Sequence, residues 1–162
     1  MATGKLEVAA RGEREIVMTR VLNAPRNLVF DAFTKPELVR RWLLGPDGWS
    51  MPVCEIDLRV GGRYRYVWKN DKDGMEMGMG GEFREIVIPE RIVSTEKFDQ
   101  AWYPGEAVGT LTLAEEAGKT KVTQIVDYDT REARDAVLKS PMESGVEAGY
   151  DRLEKMLMKN AA

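Results

Sequence analysis

Six β-rich runs lie between residues 51 and 128, and the turns joining them are too short to hold a crossover helix. Strands joined this way pair with their neighbours in antiparallel fashion. No other feature constrains the fold as strongly. Met51 to Val60 reads as one strand, which Gly61-Gly62 turns into a second. In that second strand Tyr64, Tyr66 and Trp68 alternate with Arg63, Arg65 and Lys69, with Val67 as an apolar exception. Asn70-Asp71-Lys72-Asp73-Gly74 reads as a hairpin loop. Met75, Met77 and Met79 then alternate with Glu76, Gly78 and Gly80. Glycines crowded at 78, 80 and 81 let such a strand bulge and curl. Pro89-Glu90 and Tyr103-Pro104-Gly105 mark turns on either side of a strand over 92–98. Residues 106–114 and 119–128 form a last hairpin.

The flanks are mixed. Arg14 to Leu22 is rich in β-branched residues and reads as a strand, with Ile16 and Met18 on one face and Arg20 as its polar end. Ala24-Pro25 opens a short helix carrying Leu28, Val29, Ala32 and Phe33 at helical spacing. Thr34-Lys35-Pro36-Glu37 has the form of a capping box, opening a second short helix with Leu38, Val39, Trp42 and Leu43 before Gly45-Pro46 stops it. Asp129 to Lys139 reads as a short amphipathic helix. Ser140-Pro141-Met142-Glu143 has the form of a second capping box. Beyond it Met142, Val146, Gly149, Tyr150, Leu153, Met156 and Leu157 share one face of a long helix. The expected architecture is α+β: a curved antiparallel sheet wrapped around a long C-terminal helix, with two short helices after the first strand. Residues 1–12 read as a mobile lead-in to one domain over 13–160.

Composition narrows the function. With 24 basic and 27 acidic residues among 162, interspersed along the chain, there is no basic stripe for a nucleic acid. No run reaches the ~20 apolar residues that span a bilayer, and Met1 to Arg11 lacks the apolar core of a signal peptide. Cytoplasmic residence is the expectation. Cys54 is the only cysteine, so no intrachain disulfide forms. The sequence has no histidine, which excludes Ser-His-Asp and Cys-His catalysis and the histidine-containing zinc sites. No cofactor or metal site is expected. Monomer and homodimer both fit.

Several short motifs resemble one family. They are Ala24-Pro25, Val29-Phe30-Asp31-Ala32-Phe33-Thr34, Pro36-Glu37 and Trp42; Asp57-Leu58-Arg59-Val60-Gly61-Gly62; Gly81-Glu82-Phe83-Arg84-Glu85-Ile86; Pro89-Glu90-Arg91-Ile92; and Glu132-Ala133-Arg134-Asp135 with Met142-Glu143-Ser144-Gly145. As a set, over roughly residues 13–158, they resemble domains similar to the activator of Hsp90 ATPase, within the START-like or Bet v 1-like superfamily. The resemblance implies a helix-grip fold with an apolar pocket between sheet and long helix. It does not imply one activity, because fold alone is a weak warrant for function. Many relatives carry Trp where this chain has Val146, which implies a roomier cavity at that end or one filled by Tyr150.

Candidate site residues follow from the alternating faces. Tyr64, Tyr66 and Trp68 with Met77 and Met79 offer aromatic and thioether contacts suited to a flat apolar molecule. Trp49, Phe83 and Trp102 are expected nearby, with Trp42 of the second short helix and Met142 and Tyr150 of the long helix completing the wall. The polar groups on the same faces are Glu96, Thr110, Gln124 and the tyrosine hydroxyls. Plain core filling by the same residues is the competing interpretation. Glu96 alternates with Ile92, Ser94 and Phe98; as an inward carboxyl it would have a raised pKa and could act as acid or base. An arginine partner or a rim position is its ordinary alternative. Asp57 and Arg59 read as a salt bridge bracing a turn, Arg40 and Arg41 as the wet face of a helix, and Cys54 as a small buried apolar group. Gly78-Met79-Gly80-Gly81 is not a phosphate loop, since no Lys-Ser/Thr and no helix follow. The reading is a binding module for a small apolar or aromatic molecule. An accessory role towards an Hsp90-type chaperone partner and a cyclase- or hydrolase-like enzyme are the alternatives.

Overall fold

The computed structural model describes residues 4–100 and 105–161. Eight strands form one antiparallel sheet: β1 Glu7–Arg11, β2 Glu15–Leu22, β3 Trp49–Ile56, β4 Arg63–Asn70, β5 Glu76–Val87, β6 Arg91–Phe98, β7 Ala107–Glu116 and β8 Lys119–Asp127. The helices are α1 Arg26–Thr34, α2 Pro36–Trp42, α3 Arg131–Lys139 and α4 Met142–Ala161. The strand order is β1-β2-β8-β7-β6-β5-β4-β3, with α1 and α2 following β2 and α4 packed across the concave side. This is the helix-grip arrangement that the alternation and the terminal helix stripe foretell.

The sheet curls at identifiable points. Register shifts between Phe83 and Glu85 where β5 meets β6. There the backbones come so close that a Cβ on Gly81 would lie 1.9 Å from the carbonyl oxygen of Thr95. Only glycine fits. Gly78 lies beneath the ion pair of Arg65 and Asp99, whose exposed side-chain ends can give way where the Thr95 backbone cannot. That pair holds the Asp99 carboxyl below the usual range, through the hydrogen bond from Arg65.

Helix α4 is tied down along its length. Its C-terminal half inserts Leu153, Met156 and Leu157 into the core with Ile16, Leu22, Val29 and Leu113. Arg152 donates to the Gly45 carbonyl at 2.6 Å and to Asp47 at 2.8 Å, clamping α4 to the loop after α2. Helix α3 is fixed by the buried Arg134, which donates to the carbonyls of Gly12 and Glu15 at 3.2 and 3.1 Å.

Four sequence expectations are corrected. Residues 7–11 are not a free lead-in; they form edge strand β1, held by the ladder to β2 although only Val8 is packed against the core. The strand expected over 51–60 stops at Ile56, because the chain folds back at 57–62 with Asp57 N bonded to Arg63 O and Gly61 N to Phe83 O. Neither capping box forms. Thr34 is the last residue of α1, and its hydroxyl donates to the Phe30 carbonyl one turn back, leaving Lys35 at the N-cap of α2. Ser140 likewise turns back to the Val137 carbonyl, and α4 begins at Met142. Thr130 does cap α3, accepting from Ala133 N at 3.1 Å.

Candidate ligand cavity

Sheet and helix α4 stand apart at one end. The core fills much of the space between them, and a cavity of about 530 Å³ remains, lined chiefly from β4, β5 and β6 and also by Met18 of β2, Thr110 of β7 and Gln124 of β8. Of the α4 residues facing it, Met142, Gly145, Val146 and Gly149 are small or slender, and Tyr150 is the one ring. At Gly149 the helix also approaches α2, where a Cβ would lie 3.2 Å from the Trp42 carbonyl oxygen. Helix and sheet are therefore braced against each other elsewhere, and the small residues leave the gap open.

The floor is built in rungs by strand register. Trp68 lies opposite Met77, and Tyr66 opposite Met79, which in turn pairs with Phe98. Tyr66 sits between Tyr64 and Trp68, with ring centroids 5.1 and 5.8 Å away, and Tyr64 contacts Phe83 at 5.5 Å. Ser94 faces Gly109 on the next strand, and the missing side chain there adds room.

Polar ends of the aromatic groups are mostly spoken for. The Tyr64 hydroxyl donates to the Thr95 carbonyl at 2.6 Å, and Trp68 Nε1 donates to the Leu43 carbonyl at 2.7 Å. Trp42 Nε1 donates to the Ala32 carbonyl at 2.8 Å. Tyr150 stacks on Trp42 at 5.8 Å, and its hydroxyl donates to Gln124 Oε1 at 3.0 Å. These bonds hold the rings as fixed walls.

Glu96 differs. Its accessible part faces the cavity, and the surrounding protein shields its carboxyl from bulk solvent. That burial pushes its pKa up to about 7. Among the described residues no arginine or lysine pairs with it, so the ordinary explanation for an inward carboxylate does not apply. The Tyr66 hydroxyl is pushed upward as well, first by burial and then by the neighbouring Cys54 and Glu96 charges. Burial has the same effect on the Cys54 thiol, packed with Val39 and Met51.

Of the residues singled out from the sequence, Trp42, Trp49, Tyr64, Tyr66, Trp68, Met77, Met79, Phe83, Glu96, Gln124, Met142 and Tyr150 all line this one space. Thr110 does too. Trp102 lies outside the described residues. Asp57 and Arg59 form an exposed pair at 2.9 Å, away from the cavity, and Arg40 and Arg41 are exposed on α2. Sequence reasoning missed the loop at Leu43, Leu44, Gly45 and Pro46, which forms part of the rim. It also missed Gly109, although a glycine inside an alternating strand is a signal of local space.

Residues 23–158 match the family described as activator of Hsp90 ATPase homolog 1-like protein. The chain belongs to that family. Its fold is shared by a Rhodobacter sphaeroides protein of 31% identity, with a TM-score of 0.90, covering 96% of this chain and 99% of that one. A Chromobacterium violaceum protein, also 31% identical, gives a TM-score of 0.76 over 89% and 96% of the two chains. An AHSA1-like protein from Aeromonas hydrophila is 21% identical, with a TM-score of 0.71 over 88% and 93%. No curated protein matches the sequence. The fold of the activator-like family, like that of its Bet v 1-like superfamily, suits a ligand-binding module in general. No described helix is long and apolar enough to cross a membrane.

Proposed function

We propose that this activator-like domain is a binding module that takes one small apolar or aromatic molecule into the space between its sheet and α4. The observation that carries the reading is the cavity of about 530 Å³, walled by aromatic and methionine side chains. Pockets for small molecules typically span about 300–1,000 Å³, mostly apolar, with a few convergent polar groups. Glu96, Gln124, Thr110 and the Tyr66 hydroxyl supply such groups here. Plain core filling explains the sequence pattern but not the unfilled volume.

Thermal melts of the purified protein against a panel of lipids and flat aromatics test the reading. A ligand that binds only the folded state, at a hundred times its dissociation constant, adds about 2.7 kcal/mol and raises the melting temperature visibly. Native mass spectrometry checks whether the protein carries a molecule already. No shift with any compound, together with a bare-chain mass, would remove the proposal.

A further inference from the structure

Resting on that reading, we propose that the cavity selects an organic cation: an apolar molecule bearing one protonated nitrogen, with Glu96 as its counter-charge and the aromatic rings as its cage. Among the described residues, Glu96 is the only charged side chain that lines the space; no lysine or arginine does. No hydrogen bond or salt bridge made by the described residues engages its carboxyl, and the half-buried side chain opens into the cavity among aromatic and thioether groups. A buried carboxylate without a partner is unfavourable, so at neutral pH it is completed either by a proton or by a positive group.

The surroundings favour the positive group. Phe98 lies two residues along the same strand, its rung shared with Met79 and Tyr66, and Phe83 and Tyr64 flank the next rungs. Aromatic faces attract cations, most strongly when water is excluded, and quaternary and protonated amines are held in cages of this kind. Thioethers of Met77 and Met79 add polarizable, adaptable contacts. A carboxylic acid on the same hydrocarbon would meet a like charge and no cation. A neutral alcohol would keep the apolar contacts and at most a hydrogen bond.

Isothermal titration at pH 8 with three probes sharing one ring system separates these cases: 2-(2-naphthyl)ethylamine, 2-(2-naphthyl)ethanol and 2-naphthylacetate. The amine is expected to bind about tenfold or more tighter than the alcohol, with the acid weakest, as a desolvated charge pair requires. In Glu96→Gln, checked for a cooperative melt, the amine-to-alcohol affinity ratio should fall to about one. Affinities that ignore the head group, or an amine preference that survives Glu96→Gln, would overturn the inference while leaving the cavity's ligand-binding role intact. Binding of none of the three also overturns the inference, while the ligand-binding role is decided separately by the panel of melts and the native mass.

Discussion

Arg20 on β2 reaches across to α4 and donates from Nη2 to Glu154 at 2.9 Å, while the same nitrogen lies 2.8 Å from Asp151. Its guanidinium also sits 5.9 Å from the centre of the Tyr150 ring. The arginine side chain is buried, whereas Asp151 is largely exposed and Glu154 partly so. The two ends of this bridge are therefore not equivalent.

Removing the acids should hurt more than removing the base. Asp151→Asn with Glu154→Gln leaves a buried cation unpaired, and a loss of about 3 kcal/mol in urea denaturation is expected. Arg20→Met leaves two carboxylates that solvent can reach, so its cost should be clearly smaller. Equal losses would show that the bridge contributes as a simple pair.

The Glu96 carboxyl gives a pH dependence whose sign is fixed. Its folded pKa of about 7 lies above the ordinary 4.5, so the folded chain holds this proton more tightly than the unfolded one does. Stability from this group is present below pH 4.5 and is lost as pH rises to about 7, by up to about 3 kcal/mol. The other titratable groups lining the cavity are tyrosines, and burial pushes the Tyr66 and Tyr150 hydroxyls further from this window. Denaturation of the unliganded protein at pH 5 and pH 8 should show the loss, and Glu96→Gln should reduce it.

Filling the gap from the helix side tests its use. Val146 lines the cavity beside Gly145, and Val146→Trp projects an indole into the open volume. The variant should fold, with stability within about 1.5 kcal/mol of the parent because space exists for the ring. Probe affinity should drop about tenfold or more, since apolar contact area is lost. Unchanged affinity would place binding elsewhere.

Gly81→Ala probes the sheet's curl. Its Cβ would lie 1.9 Å from the Thr95 carbonyl oxygen, which is backbone and cannot swing aside. A loss of about 3 kcal/mol or more is expected from such overpacking. Thr95 Oγ1 accepts from Glu82 N at 2.9 Å, and the Thr95 carbonyl accepts from Tyr64, so the cavity floor should loosen with it. Tryptophan fluorescence would report that loosening.

Much of this arrangement was legible in the residues. Tyr64, Tyr66 and Trp68 opposite Met77 and Met79 announce one apolar face through period-two alternation, and the α4 stripe announces its partner. β1 was hidden because four of its five residues are exposed, so its backbone ladder leaves no hydrophobic pattern to read. The boxes at Thr34 and Ser140 misled because the preceding helices run on far enough to claim both hydroxyls with their own carbonyls. The unpaired state of Glu96 was not readable at all. It depends on which distant side chains the curled sheet brings near, and alternation reports only a face.

β6 lies between β5 and β7, bonded to a neighbour along both sides. Glu96 therefore rides on a strand that fraying at the sheet's rims does not release. Amide hydrogens there should exchange among the slowest in the protein, through openings that approach global unfolding. A carboxyl anchored so deep cannot swing out to meet a visitor. Under the proposed reading, a cation has to be met where the strand already holds the charge.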